Sequence, residues 1–194
     1  MARLREFDTD LALEAAMQTF WLNGYKATSL ADLMTAMGLK KGSIYKAFKD
    51  KHSLFILALR QYLDQSNALC RKYLENGVSP KAGVSNLLHN IICDRGNDKN
   101  RRGCFMLNSV VELAPHDEEV RKIFDTHLSY MQRILTKAII KGQSLGEFRT
   151  DIPPEDLSLI VLDFLQGLVT RSKGSVSVES LNKQVDYILK MIAA

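Results

Sequence analysis

The chain has 194 residues, 46% of them hydrophobic and 25% charged, a balance that can bury a core and excludes a disordered chain. Four prolines and eleven glycines, against abundant Leu, Ala, Lys and Glu, favour helices. No apolar run approaches the ~18 residues of a membrane span, and Arg3, Arg5, Glu6, Asp8 and Asp10 interrupt any apolar leader, so a soluble, cytoplasmic protein without a membrane partner is expected.

In chain order, Leu13, Ala16, Met17 and Phe20 form one apolar stripe of a first helix, with Asp8 or Thr9 as its cap and Gly24 as its stop. Thr28 or Ser29 caps a short second helix carrying Leu30, Leu33 and Met34, which ends at Gly38. A third short helix runs from about Lys41 to Phe48 with Ile44 and Phe48 inward. A fourth, capped by Asp50 or Ser53, continues to about Tyr73. Ser79-Pro80 opens a fifth, to about Cys93, and a polar loop follows from Asp94 to Arg102. Cys104 to Leu113 is an apolar helical segment broken by Pro115; Asp117, Glu118 and Glu119 then start a long helix through Ile139. After a loop from Gly142 to Pro153, two helices carry broad apolar faces: Leu157, Val161, Phe164, Leu165 and Leu168, then Val178, Leu181, Val185, Ile188 and Leu189. The expected fold is all-α, with about nine helices.

The charge is localised. Between Lys40 and Lys51 five lysines face a single acid, so this window alone accounts for the chain's net charge of +4. A basic face on two short helices joined by Met37-Gly38-Leu39 fits a helix-turn-helix held against a polyanion. Three cysteines, Cys70, Cys93 and Cys104, with no C-x-x-C spacing, argue against a disulfide framework and a zinc site. The four histidines are scattered, and no Ser-His-Asp order, Glu-x-x-His pair or glycine-rich phosphate loop appears, which argues against an enzyme. No cofactor or metal is expected. A sequence-independent nucleoid-type binder is a third reading; the near-neutral remainder carries more core than such a role requires.

The stretch from Gly24-Tyr25-Lys26-Ala27-Thr28-Ser29-Leu30 to Gly42-Ser43-Ile44-Tyr45-Lys46-Ala47-Phe48-Lys49-Asp50-Lys51 resembles the DNA-binding segment of TetR/AcrR-type transcriptional regulators. The likeness covers roughly residues 8 to 60, and departs from the usual pattern at Lys40, Ala47 and His52. Arg102-Gly103-Cys104-Phe105-Met106-Leu107-Asn108, with Glu112-Leu113-Ala114-Pro115, resembles one subgroup. The resemblance implies a DNA-binding domain over residues 1–50 and a ligand-sensing and dimerisation domain over 51–194. It further implies a homodimeric repressor, released from a palindromic double-stranded operator by a small-molecule inducer.

On the DNA side Lys40, Lys41, Ser43 and Lys46 are candidate base readers, and Gly42 lets the backbone approach closely. Thr28 and Lys51 are candidates for phosphates, a role the resemblance implies for Tyr45; Arg3 and Arg5 suit either a DNA-reaching arm or a polar tail. Within the family layout, helices four to eight line the pocket, with Tyr62, His89, Cys93, Cys104, Phe105, Asn108, Glu112, Met131 and Phe164 as candidates. Core positions are the alternative for His89 and Cys93, and a solvent-facing pair for Asn108 and Glu112. Cys104 follows two arginines at a helix start, where a thiolate is favoured. Some relatives with this Gly-Cys segment respond to electrophiles, but a small buried hydrophobe is the alternative. The broad apolar faces of the last two helices suit a four-helix dimer interface.

Overall fold

Capping side chains decide where most of the helices begin in the computed structural model, which describes residues 7–194; Arg3 and Arg5 lie outside the described residues. Asp8 accepts the Asp10 and Leu11 N–H groups to open α1 (Thr9–Asn23), and Ser29 with Asp32 forms a reciprocal capping box on α2 (Leu30–Met37). Gly38, at φ 64°, closes α2 in the left-handed region where a side chain is strained, and so sets the turn into α3 (Lys41–Phe48). Asp50 caps α4 (Lys51–Glu75) through the Ser53 N–H, and Ser79 with Pro80 opens α5 (Pro80–Gly96). The fifth helix thus takes in Asp94 and Arg95, which the sequence reading places in a loop. The chain continues through α6 (Phe105–Leu113), the Asp117-capped α7 (Glu118–Ser144), α8 (Pro154–Arg171) and the Ser177-capped α9 (Val178–Ile192). Among the described residues there are nine helices and no strand, as the all-α reading expects.

Two hydrophobic clusters hold these helices together. The first joins Phe20, Leu33, Ile44, Phe48 and Phe55 of the N-terminal head to Phe105, Leu113, Val120 and Ile123 of α6 and α7. Helices of eight residues are not stable alone; here α2 and α3 gain their stability from this shared core. The second cluster packs α5, α7, α8 and α9 around Leu88, Ile139, Phe148, Val161 and Val185. It also corrects one sequence inference. The apolar faces of α8 and α9 credited to a dimer are buried inside this chain: Leu157, Val161, Leu165, Leu168, Leu181, Val185, Ile188 and Leu189 all belong to its own core. What α8 and α9 leave exposed is a smaller set, Ile160 (46%), Tyr187 (50%) and Met191 (65%).

Candidate nucleic-acid interface and sensor cavity

Because Ile44 and Phe48 are anchored in the head core, the opposite side of α3 must face solvent. That side presents Lys41, Gly42, Tyr45 and Lys46, with Lys40 just before the helix and Lys49 just after it, all exposed; Ser43 is half-buried. Nothing lies within 4 Å of the place a Gly42 Cβ would occupy. Tyr45 is 41% exposed, and Lys41 Nζ sits 5.7 Å from its ring centroid.

Two of the sequence's phosphate candidates are placed differently. Thr28 is not the cap of α2; it is 1% exposed and its Oγ1 donates to the Gly24 carbonyl at 2.6 Å. Its hydroxyl is therefore committed to the α1–α2 turn. Lys51 Nζ lies 4.4 Å from the Tyr25 ring centroid; burial lowers its pKa, opposed by the charges of Glu112 and Asp32. Its ammonium is partly spoken for before any DNA arrives. His52, one of the departures from the family pattern, joins α4 to the cap of α7 through Nε2 and Asp117 Oδ2, 2.7 Å apart. Burial works against the Asp117 carboxylate, but the His52 and backbone hydrogen bonds outweigh it and hold its pKa below the ordinary value.

Behind the head lies a cavity of about 810 Å³, within the usual range for small-molecule sites. Of the nine candidates from sequence, Tyr62, Cys93, Cys104 and Met131 line it. The other five do not, each for a visible reason. His89 holds α5 to α9, with Nδ1 3.0 Å from Asn182 Oδ1 and Nε2 3.2 Å from Asp186 Oδ1. Phe105 is packed edge-on between Phe55 and Tyr62. Asn108 donates to the Arg102 carbonyl and accepts from Lys173. Phe164 packs half-buried against the C-terminal core. Glu112 reaches away from the cavity altogether: Oε2 accepts the Tyr25 N–H at 2.9 Å and Oε1 the Lys26 N–H at 2.7 Å. A Cβ on Gly24, which has φ 81°, would stand 2.9 Å from that same carboxylate.

The sequence reading missed a wall of the cavity that comes from the head. Trp21 of α1 lines it, although the family layout draws the pocket from helices four to eight. Arg102 and Arg95 lie over its ring, 4.1 and 4.7 Å from the centroid, and Arg102 Nη1 also donates to Gln18 of α1. His127 of α7, also missed, shares the cavity with Met131 four residues on, a spacing that places both on one helix face. Burial pushes its pKa down to about 4, so it is neutral at pH 7. Tyr62 is likewise held neutral, its pKa raised by burial first and by Cys104 next; its hydroxyl donates to Cys104 Sγ at 3.3 Å. Cys104 is the half-buried N-cap residue of α6, while Arg102, expected to favour its thiolate, is turned to Asp98, Gln18 and Trp21. Cys70 is fully buried and its thiol is pushed up to about 12.

Known families match both halves of this arrangement. Residues 12–58 match the bacterial regulatory proteins of the tetR family, and residues 83–186 match the tetracyclin repressor-like C-terminal domain. The chain belongs to the TetR family of transcriptional regulators. A cysteine-substituted form of the TetR-family regulator CifR, solved on 26-bp double-strand operator DNA, superposes with a TM-score of 0.87 at 31% identity, covering 98% of this chain and 100% of that one. The repressor ComR of Escherichia coli K12 is 29% identical over 97% of this chain and 90% of its own length. The Bacillus subtilis 168 regulator YezE is 27% identical over 99% of this chain and its full length. Among the described residues no helix of this TetR-family regulator is long and apolar enough to cross a membrane.

Proposed function

We propose that this TetR-family regulator is a homodimeric repressor that reads a palindromic operator through α3 and is released by a small molecule in the cavity. The observation that carries this reading is that one helix, α1, supports the basic recognition helix's core and also supplies Trp21 to the cavity wall. Lys40, Lys41, Ser43 and Lys46 take the base-reading positions; Tyr45 and Lys49 hold phosphates; Gly42 admits the backbone. Residues 1–50 act as the DNA-binding part and 51–194 as the sensing and dimerising part. A single helix-turn-helix meets too few bases for specificity, so two copies are required. Exposed Ile160, Tyr187 and Met191 on α8 and α9 offer apolar surface to the second copy, and CifR was solved on operator DNA.

The test starts from genomic fragments selected by the purified protein. A selected palindrome should bind a dimer by sedimentation, with affinity falling steeply as salt rises. A monomer that binds random and palindromic DNA alike refutes the reading. Turnover of a substrate without DNA binding favours an enzyme instead.

A further inference from the structure

The polar lining of the cavity is balanced in charge. Its carboxylates and guanidiniums are those of Asp94, Arg95, Asp98 and Arg102. Arg95 Nη1 sits 2.9 Å from Asp94 Oδ2, and Arg102 Nε 2.9 Å from Asp98 Oδ2. Burial works against the Asp98 carboxylate, but its hydrogen bonds from Arg102 prevail and keep its pKa below the ordinary value. Each guanidinium makes further contacts: Arg95 Nη2 donates to the Tyr62 hydroxyl, Arg102 Nη1 to Gln18, and both lie over Trp21. An anionic ligand must draw an arginine from its carboxylate, and a cationic one must draw a carboxylate from its arginine. At the Arg102–Asp98 pair, whose side chains are both largely buried, either exchange strands a partner charge away from water, whereas Asp94 of the other pair is exposed.

The same wall is not balanced in hydrogen bonds. Trp21 is 8% exposed, and its Nε1 is shut off from solvent with no acceptor; His127 Nδ1 is in the same condition. Buried polar atoms almost always have partners, and an indole N–H can only donate. An acceptor oxygen is what Trp21 lacks, and what His127 lacks too in the tautomer that carries its proton on Nδ1. Around them Leu128, Met131, Leu165 and Val169 supply apolar surface.

We propose that the cavity takes an uncharged ligand with an apolar body and a hydrogen-bond-accepting oxygen, with Trp21 and His127 as the residues that read that oxygen. This rests on the cavity being the sensor site. It makes Trp21, a residue of the DNA-binding head, a specificity determinant for the inducer.

Three isologues of one ring test it on the full chain: cyclododecanone, cyclododecanecarboxylate and cyclododecylammonium, at pH 7.5. Trp21 is the chain's single tryptophan, so indole fluorescence reports occupancy, and calorimetry serves the variants. The ketone should bind about tenfold or more tighter than either ion, the order of one hydrogen bond to an otherwise unpaired donor. Trp21→Phe should weaken the ketone about tenfold and leave the ions where they were. Asp98→Asn frees Arg102 and gives the lining a net positive charge; the carboxylate should then overtake the ketone. The proposal is overturned if an ion binds the native protein as tightly as the ketone, if none of the three binds, or if Asp98→Asn still excludes the carboxylate. Operator binding measured without ligand tests the repressor reading separately, and it can stand while the ligand class falls.

Discussion

Removing the Glu112 carboxylate should loosen the N-terminal head from the C-terminal helices. Its two oxygens accept backbone N–H groups at 2.9 and 2.7 Å from the turn that follows α1. A hydrogen bond to a charged group contributes about 1.5–3 kcal/mol net. The Lys26 end is exposed, so about 1 kcal/mol for each bond is the appropriate scale after screening. Glu112→Ala should therefore cost about 2 kcal/mol, or about 4–8 °C in Tm for a chain of this size. Glu112→Gln keeps one acceptor but turns an amide N–H₂ toward the second N–H, so roughly half of the loss remains. Thermal unfolding followed by circular dichroism reads both variants. Gly24→Ala supplies an internal check, because its new Cβ would stand 2.9 Å from Glu112 Oε2; that clash vanishes in Glu112→Ala, and the two substitutions should be non-additive. If Glu112→Ala melts with the parent and the double variant is simply additive, the carboxylate carries no energy across this junction.

The remaining predictions concern titration, DNA and thiols. His127 is neutral when folded, with a pKa near 4 against 6.5 unfolded. Protons therefore bind the unfolded chain first as pH falls, and stability should drop by about 1.4 kcal/mol per unit between these values; urea melts of His127→Asn should lack that component of the slope. Tyr45→Phe should weaken binding to all operator variants alike, whereas Lys41→Ala or Lys46→Ala should shift sequence preference in a randomised library; uniform losses throughout would remove the base-reading assignment. Lys49→Ala should lower the slope of log K against log salt by about one unit, and Lys51→Ala by less, since Lys51 already lies over Tyr25. Under iodoacetamide Cys104 should be modified first and Cys70 last, its thiol being held at about 12; mass spectrometry of the native protein gives the order.

Most of the fold was legible because helix ends and inward stripes are local properties. The Gly38 turn, the Ser79-Pro80 opening and the Ile44–Phe48 pair depend on neighbours within four residues, and all stand where the sequence puts them. Thr28 was misread because it and Ser29 are equally good caps, and only packing decides which hydroxyl turns inward. The cavity was about half legible. Tyr62, Cys93, Cys104 and Met131 follow from a family layout, but Glu112 and His89 were drawn off by partners 86 to 97 residues away in sequence. Nothing in a helical period announces such partners. Trp21 was hidden because the family layout draws the pocket from helices four to eight, and α1 lies outside them. The dimer argument misjudged α8 and α9 for the opposite reason: a broad apolar stripe shows that a face is covered, not which chain covers it.

The arrangement of the missed residues bears on how a ligand could be felt at the DNA. A ligand shifts an equilibrium only through atoms it contacts differently in two states. Those atoms need not belong to the C-terminal helices alone. Here the cavity wall includes Trp21, and Arg102 ties the same wall to Gln18 one turn earlier in α1. Just past the same end of α1 the turn at Tyr25 and Lys26 is held by Glu112, which sits on α6 eight residues beyond the cavity residue Cys104. The C-terminal half of α1 and the turn that follows it are thus fastened at two points to the segment from Arg102 to Glu112. A displacement of α6 or of the Arg102 guanidinium therefore acts on α1 directly, and α1 carries Met17 and Phe20 into the core beneath Ile44 and Phe48. Under the proposed function, coupling along this path needs no bending of α4, and breaking either fastening should reduce it while the other persists.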